Sequence, residues 1–473
     1  MKILVINGSP KGQYSTTLQT VLFIRESIRK KHPGIEFDFI DPGRHIRSFE
    51  NDFSPAIQAL ENADVFLFSY PVYTFIAPYQ LHRFIELMKE SGVSFEGKIA
   101  TQITTSKHFY DITAHRFIEE NCADMQIKFV EGLSADMDDL LTAKGQKQAT
   151  DFFEHFLWSA GKGYFRAISD RNGGIPSKDS NGPAFTLKSP GNSPKSASFK
   201  AIIVADFPPE CNQGSEDNDG TYTGNAAALP AMVNRFKDIF PYECDVVNIR
   251  EFPFKGGCMS CFNCATDGKC IYSDGFDEYL RNVIHKHDAI IYAFRIKDHS
   301  MGSRFKMYDD RQFCNGHRTV TMGTPFGYII DGEYSKEDNL RLILEARAQV
   351  GGNFLAGAAT SESAPEAGLQ RLSDSICYAL EHQLEPPQNF LGVGGMKIFR
   401  DLIYLMRGMM RADHRFFKSH GQYDFPQKKF GTSMKMYPVG WLMSNRKLKV
   451  KMGNKMNEGM IAPYKKVVDK AAE

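Results

Sequence analysis

The stretch Lys2-Ile-Leu-Val-Ile-Asn-Gly-Ser-Pro-Lys-Gly-Gln-Tyr-Ser-Thr-Thr-Leu18 decides the fold. Its first six residues are a largely apolar run that ends on Gly8-Ser9-Pro10, and helical spacing follows through Leu18, Val21, Leu22, Ile24 and Ile28. That pattern reads as strand, loop, helix. Downstream, Val65–Phe68, Ile99–Ile103 and Met125–Glu131 read as further strands, with a helix over Gln80–Met88 between the first two. Short apolar strands alternating with helices imply a parallel sheet covered on both faces.

The pattern occurs twice. Lys200-Ala-Ile-Ile-Val-Ala repeats Lys2-Ile-Leu-Val-Ile-Asn, and His287-Asp-Ala-Ile-Ile-Tyr-Ala repeats Ala63-Asp-Val-Phe-Leu-Phe-Ser. The helix through Phe305, Lys306, Tyr308 and Arg311 answers the one through Leu81, Phe84 and Met88. Two copies imply tandem domains and not a solenoid. The chain of 473 residues, 42% hydrophobic, is long enough for several cores. The expected division is a domain over residues 1–167, a Gly/Pro/Ser-rich linker over 168–198, a second domain over 199–385 and an extension over 386–473.

Charge is nearly balanced, 57 Lys+Arg against 56 Asp+Glu, which gives no polyelectrolyte reason to bind nucleic acid. The extension differs: 17 Lys+Arg stand against 6 Asp+Glu there, a net +11, and the rest of the chain carries −10. Met396–Phe417 reads as a basic amphipathic helix with Phe399, Leu402, Ile403, Met406 and Met410 on one stripe. It suits packing against the acidic body, an anionic membrane surface or an acidic redox partner. The opening apolar run is too short for a signal peptide and no stretch approaches 18 uncharged apolar residues, so a cytoplasmic location is expected.

The turn after the first strand combines helix-end amides with Ser9, Lys11, Ser15, Thr16 and Thr17, a phosphate cradle or an ordinary helix cap. A second loop, Tyr70-Pro-Val-Tyr-Thr-Phe-Ile-Ala-Pro78, follows the next core strand at the carboxyl end, where open α/β sheets bind ligands. Together these motifs resemble the NADPH-dependent FMN reductase branch of the flavodoxin-like proteins, over roughly residues 1–160. The resemblance implies that Ser9, Lys11, Ser15, Thr16 and Thr17 hold the phosphate of FMN and that Pro71, Val72, Tyr73, Thr74 and Phe75 contact the isoalloxazine. By the same likeness, Thr104, Thr105 and Ser106 complete the flavin rim. Glu86-Leu87 stands where that family often carries Asp-Arg, which puts a nucleotide or dimer contact in question. His108 and Tyr110 lie just past the third loop, as substrate contacts or as plain surface residues.

Nine cysteines include Cys258-x2-Cys261-x2-Cys264-x5-Cys270. In a reducing compartment such crowding favours a metal or redox site over disulfides. Three thiolates within seven residues suit the corners of a [4Fe-4S] cubane better than two separated zinc knuckles. The motif resembles that of iron–sulfur flavoproteins, over residues 199 to about 380. Cluster-free relatives share the Gly268-Lys-Cys270 and Asp274 features, so cubane, bare thiols and zinc remain open. The second domain replaces the phosphate turn with an acidic stretch from Asp206 to Gly220, predicting at most weak FMN affinity there. Its Arg295–Gly302 loop, with Lys297, His299 and Ser300, suits a polar or anionic ligand, or plain solvent.

These likenesses imply an FMN-dependent oxidoreductase that takes electrons from NAD(P)H and passes them to a small acceptor or a redox protein, as a tandem internal dimer or a homodimer. No protein acid or base is needed, because the flavin carries the chemistry, and the catalytic residue is unassigned. The alternatives are a non-enzymatic electron carrier and a zinc-bearing scaffold.

Overall fold

A computed structural model describes residues 1–165, 195–207, 228–362, 364–384, 389–423 and 430–443. The first domain runs β1 (Lys2–Asn7), α1 (Thr16–Ile28), β2 (Glu36–Ile40), α2 (Pro42–Asn51), α3 (Ser54–Asn62), β3 (Val65–Pro71), α4 (Tyr79–Glu90), β4 (Ile99–Ser106), α5 (Asp111–Asp124), β5 (Lys128–Phe129), β6 (Leu133–Asp136) and α6 (Ala143–Lys162). The second runs β7 (Ser196–Ala205), α7 (Ala228–Ile239), β8 (Tyr242–Asn248), α8 (Asn263–Asp267), α9 (Phe276–Asn282), β9 (Ala289–Arg295), α10 (Gly302–Arg311), β10 (Phe326–Asp331), α11 (Asp338–Gly351), β11 (Leu355–Thr360) and α12 (Pro365–His382). Then come α13 (Phe390–Leu405), α14 (Arg411–Ser419) and α15 (Phe430–Met443).

The first sheet has the order β2-β1-β3-β4-β5 with β6 also beside β4, and the second has β8-β7-β9-β10-β11. All pairs are parallel, so both sheets carry the doubly wound flavodoxin order. The tandem α/β architecture expected from the repeat is therefore present. Val5, Ile6, Phe66 and Phe68 are buried, as are Ile202, Val204, Ile290 and Ile291. Helices on both sheet faces bury such strands completely, which makes their sequence continuous rather than alternating.

Several elements differ from the sequence expectation. The edge strand β2 reads Glu-Phe-Asp-Phe-Ile and is half exposed, which hid it among polar residues. β4 continues through Thr104-Thr105-Ser106, which pair with Ser134, Ala135 and Asp136; the β-branched threonines extend the strand, and the segment is not a loop. The expected strand Met125–Glu131 shrinks to Lys128–Phe129 and resumes at Leu133. Between them, backbone at Gly132 passes so close to Gln102 that a Cβ there would lie 2.3 Å from its side chain. The second domain's first strand starts at Ser196, inside the stretch read as linker, and residues 168–194 of that linker lie outside the described residues. So does most of the acidic stretch, residues 208–227. Its first residue, Asp206, is buried against Arg250 (2.5 Å).

The basic helix expected over Met396–Phe417 is two helices. The chain turns at Met406–Met410 around Gly408, and α13 starts earlier, where Asn389 Oδ1 accepts the Leu391 N–H (2.9 Å). Gly392 and Gly395 bring α13 onto α11: a Cβ at either would lie 2.6 Å from Gln349 or Val350. The chain divides into two compact units at Phe416/Phe417, and α15 belongs to the second.

The two domains meet through α4 and α10, with matching contacts in both directions. Asp310 on α10 accepts the Tyr79 N–H at the start of α4 (2.9 Å) and the Thr74 hydroxyl (2.7 Å). Seven residues into α4, Glu86 accepts the Ser303 N–H at the start of α10 (2.7 Å) and the Ser303 hydroxyl (2.8 Å). Each helix thus caps the other's amino end with a carboxylate, favourable for amide and dipole alike. Lys306, fully buried, donates to Tyr73 O (3.2 Å) and Thr74 Oγ1 (3.1 Å) and pairs with Asp310. The loops ahead of the two helices share a turn, with Thr74–Phe75 and Asp298–His299 all at positive φ. Lys297 does not await a ligand; it meets Glu90 (2.8 Å) and Glu86 (3.3 Å) of the first domain. His299 bridges Asp124 (3.0 Å) of the first domain and Glu337 (3.0 Å) of the second.

Two expectations follow. Asp310→Ala takes the nearest counter-charge from buried Lys306, leaving it Asp309 at 3.6 Å, and is expected to cost about 3 kcal/mol in denaturant unfolding. Burial pushes the His299 imidazole down, but Asp124 and Glu337 raise it from 6.5 to about 10. A pKa raised by folding contributes stability that is complete below about 6.5 and lost as pH rises through about 10. His299→Gln should therefore lower the melting temperature at pH 6–8, with the deficit shrinking towards pH 10.5.

Candidate functional site

Both sheets end their strands at the domain junction, and one largely apolar cavity opens there. Its walls come from three sources: the β1–α1 and β3–α4 loops of the first domain, the cysteine segment of the second, and α13. The first wall begins with the turn after β1. Gly12 N–H donates to Ser9 O (2.9 Å), Lys11 N–H to Ser9 Oγ (3.4 Å), and Ser15 caps α1 by accepting the Leu18 N–H (3.4 Å). Thr17 Oγ1 shares a 2.6 Å hydrogen bond with Thr105 Oγ1, fastening the helix start to the end of β4. Ser9, Lys11, Ser15, Thr16 and Thr17 all line the cavity, with Pro71, Val72, Tyr73 and Thr74 beside them and Thr105 and Ser106 below.

Two of the expected flavin contacts lie elsewhere. Phe75 is turned into the core, its ring centroid 4.5 Å from that of Tyr110 and 5.0 Å from that of Phe109. Thr104 faces the other side of β4 and bonds His115 (2.8 Å), because alternate strand residues point to opposite faces. His108 is exposed and paired with Asp111 (2.9 Å), while Tyr110 donates to Leu391 O (2.7 Å), so neither lines the cavity. Glu86, near the family's Asp-Arg position, is spent on Ser303 at the domain junction.

The four cysteines Cys258, Cys261, Cys264 and Cys270 form the facing wall, with Cys314 alongside. Their segment is braced by arginines. Arg311 makes two 2.8 Å hydrogen bonds to Asp274 and a third to Gly256 O (2.8 Å), and it stacks 4.4 Å from the Tyr272 ring. Burial raises Asp274, yet Arg311 holds its carboxyl below the ordinary range. Arg281 reaches Gly268 O and Cys314 O. No described cysteine is in a disulfide. Burial lifts the Cys258 thiol far up and the Cys264 thiol to about 11. Buried thiols of this kind ionise readily only with a cation to bind them. Across the cavity, Lys11 Nζ lies 5.2 Å from the Phe262 ring, and burial lowers its pKa despite the nearby Cys261 and Cys258.

Residues without a motif complete the site. Lys107, Phe109 and Met137 come from the loops after β4 and β6, and Ile398, Phe399 and Leu402 from α13. Phe399 stacks on Phe109 (4.5 Å) and meets His317 edge-on (4.9 Å). Phe399 and Leu402 stood on the apolar stripe read from the sequence, but nothing there said what the stripe would cover. Asp413 of α14, fully buried, accepts from His317 Nδ1 (3.0 Å), His317 N (3.1 Å) and Arg318 (3.1 Å). Gly316, at φ +63, lies so close to Asp413 that a Cβ would sit 2.3 Å from the carboxylate. Asp413→Ala is expected to cost about 3–5 kcal/mol and to speed thiol labelling of the cavity cysteines, measured by thermal melting and timed alkylation.

Residues 1–133 match the model of the flavodoxin-like fold family. A curated iron–sulfur flavoprotein of Clostridioides difficile (strain 630) is 22% identical over 196 residues, 38% of this chain and 86% of that protein. Among solved structures, an FMN-dependent NADH-azoreductase from Bacillus anthracis in complex with FMN matches 33% of this chain and 98% of its own, at 13% identity and a TM-score of 0.27. An NAD(P)H:quinone oxidoreductase from Methanothermobacter marburgensis matches 32% of this chain and 92% of its own, at 13% identity and a TM-score of 0.26.

Proposed function

We propose that this chain is an FMN-dependent NAD(P)H oxidoreductase that delivers electrons to a small acceptor, with an iron–sulfur cluster held opposite the flavin. The observation that carries this reading is the shared cavity, which has the hydroxyl-rich turn of one domain on one wall and four cysteines of the other domain facing it. The resident groups are judged by their fit. Eleven of the thirteen residues expected to contact FMN line that cavity, and Ser106 Oγ is buried there with no partner in the protein. A polar ligand would satisfy it.

Ser9, Lys11, Ser15, Thr16 and Thr17 would hold the phosphate, using first-turn amides of α1 and the Lys11 cation. Tyr73 and Thr74 would border the ring system. The second domain holds these two residues in place, through Lys306 and Asp310. Bound FMN would supply hydride and electron transfer. Phe109, Phe399, Ile398 and Leu402 would exclude water above it and leave an apolar slot for a flat acceptor.

For the cysteines, donor chemistry supports a cluster over zinc. Tetrahedral Zn–S bonds of about 2.3 Å bring sulfurs within roughly 4 Å of each other. Among the described residues, no three of these thiols come within 4.8 Å of one another. A larger cluster suits the wider spacing. The acceptor and the choice of NADH or NADPH are left to the apolar slot and its rim. The same reading makes residues 1–167 the flavin-binding domain and the domain that begins with β7 at Ser196 and runs to about 385 the cysteine-bearing one, with a cytoplasmic location. The pairing of α4 with α10 makes the chain its own dimer.

The test uses the full-length protein prepared without oxygen. It should bind FMN, and NADPH or NADH should bleach the flavin band within seconds; indifference to both nucleotides would overturn the enzyme and favour an electron carrier. Thr16→Val removes one hydrogen bond to a charged phosphate, worth about 1.5–3 kcal/mol, and should weaken FMN binding roughly ten- to a hundredfold by fluorescence titration. Cys261→Ala should remove the broad cluster absorption and leave the flavin bands.

A further inference from the structure

We propose that Arg311 sets the reduction potential of the iron–sulfur cluster, as a buried cation that donates a hydrogen bond to the sulfur of one of its ligands, Cys270. The inference deepens the reading above and rests on its cluster. Arg311 is the last residue of α10, and its Nη2 lies 4.0 Å from Cys270 Sγ, within reach of an N–H···S hydrogen bond. The guanidinium side chain is 1% exposed and that of its partner Asp274 is 2% exposed. Asp274 holds Nη1 and Nη2 in a fork (both 2.8 Å), Gly256 O accepts from Nη1 (2.8 Å), and the Tyr272 ring lies 4.4 Å away. A planar fork pinned on this many sides has its donor in place before any charge arrives at the sulfur.

Bracing the cysteine segment does not by itself call for this arrangement. Two other arginines do that work through main-chain carbonyls: Arg281 donates to Cys314 O (2.9 Å) and Gly268 O, and Arg318 to Cys264 O (3.3 Å). Arg311 differs in reaching a sulfur and in its complete withdrawal from water. Uptake of one electron makes a cluster one charge more negative, and its potential follows net charge, hydrogen bonds to sulfur and exposure. A buried donor and positive charge at Cys270 therefore favour the reduced state, and with little solvent to screen it the effect is strong. Asp274 acts in the opposite sense, since its carboxylate offsets the field of the guanidinium it holds. The potential is then the difference between two opposed charges on either side of one hydrogen-bonded fork. The helix also joins this point to the flavin side. Asp310, one residue earlier, accepts from the Thr74 hydroxyl (2.7 Å) and the Tyr79 N–H (2.9 Å) of the first domain. Adjacent residues of α10 thus seat the Tyr73–Thr74 loop and address the cysteine.

The test is redox potentiometry on the full-length protein assembled without oxygen from FMN, iron and sulfide, reading the reduced cluster by EPR and FMN by its visible bands. Arg311→Lys keeps a cation and loses the fork. It should lower the cluster midpoint so that the reduced fraction at a fixed potential falls about tenfold, a shift of about 59 mV for one electron, and leave the FMN midpoint where it was. Asp274→Asn keeps the shape and removes the opposing charge, and should raise the cluster midpoint while EDTA strips iron no faster than from the wild type. A midpoint that is unmoved or raised in Arg311→Lys would overturn the inference and leave the cluster reading standing. So would a rise in Asp274→Asn accompanied by faster stripping, the mark of water let into the site. Should Arg311→Lys hold no cluster, the two measurements on Asp274→Asn decide. Loss of the cluster from both variants would assign the pair to folding alone and end the proposal. A wild-type protein that assembles no cluster would end the cluster reading and this inference together.

Discussion

The reciprocal capping of α4 and α10 is the constraint on which the rest depends. Asp310 holds the amide of Tyr79, the first residue of α4, while Glu86 holds that of Ser303, the second residue of α10, and each carboxylate lies seven residues past the amide its own helix has capped. Buried carboxylates are tolerated here because each finds amide and hydroxyl donors, and because Lys306 neutralises Asp310. Since each cap belongs to the opposite domain, neither half satisfies its own helix start alone. An interface of this sort repeats the logic of a symmetric dimer within one chain.

Repetition of the interface did not preserve repetition of the sites. In the first half the turn after β3 presents Tyr73 and Thr74 to the cavity. The same turn in the second half keeps its backbone, with Asp298 and His299 also at positive φ, and turns its charges to the first domain. The two copies have divided labour: the first supplies a hydroxyl-lined turn, and the second supplies the thiol wall and a rigid seat for the first domain's loop. Asymmetry follows from position, because the face of one domain closes the mouth of the other.

The cavity is finished from outside the repeat. Gly392 and Gly395, three residues apart, thin one side of α13 and meet α11 closely, which lets Phe399 reach Phe109 over the cavity. Asp413 then ties α14 to the His317–Arg318 turn beside the cysteines. Burial of a charge with two partners fixes the direction of the strap more firmly than apolar contact could, since apolar contact is not directional.

Much of this was legible from residues 2–18 and their echo at 200–205. Apolar runs with two covered faces have a local signature, as do a hydroxyl-rich turn before a helix and four cysteines within thirteen residues, because each depends on neighbours in sequence. Three things had no such signature: that Phe75 and Thr104 turn away from the cavity, that Lys297 and His299 serve the interface, and that the cysteines of one domain face the hydroxyl-rich turn of the other. These depend on side-chain direction and on contacts between residues some two hundred positions apart, where charge finds a partner or apolar area finds a cover only after the two sheets have docked.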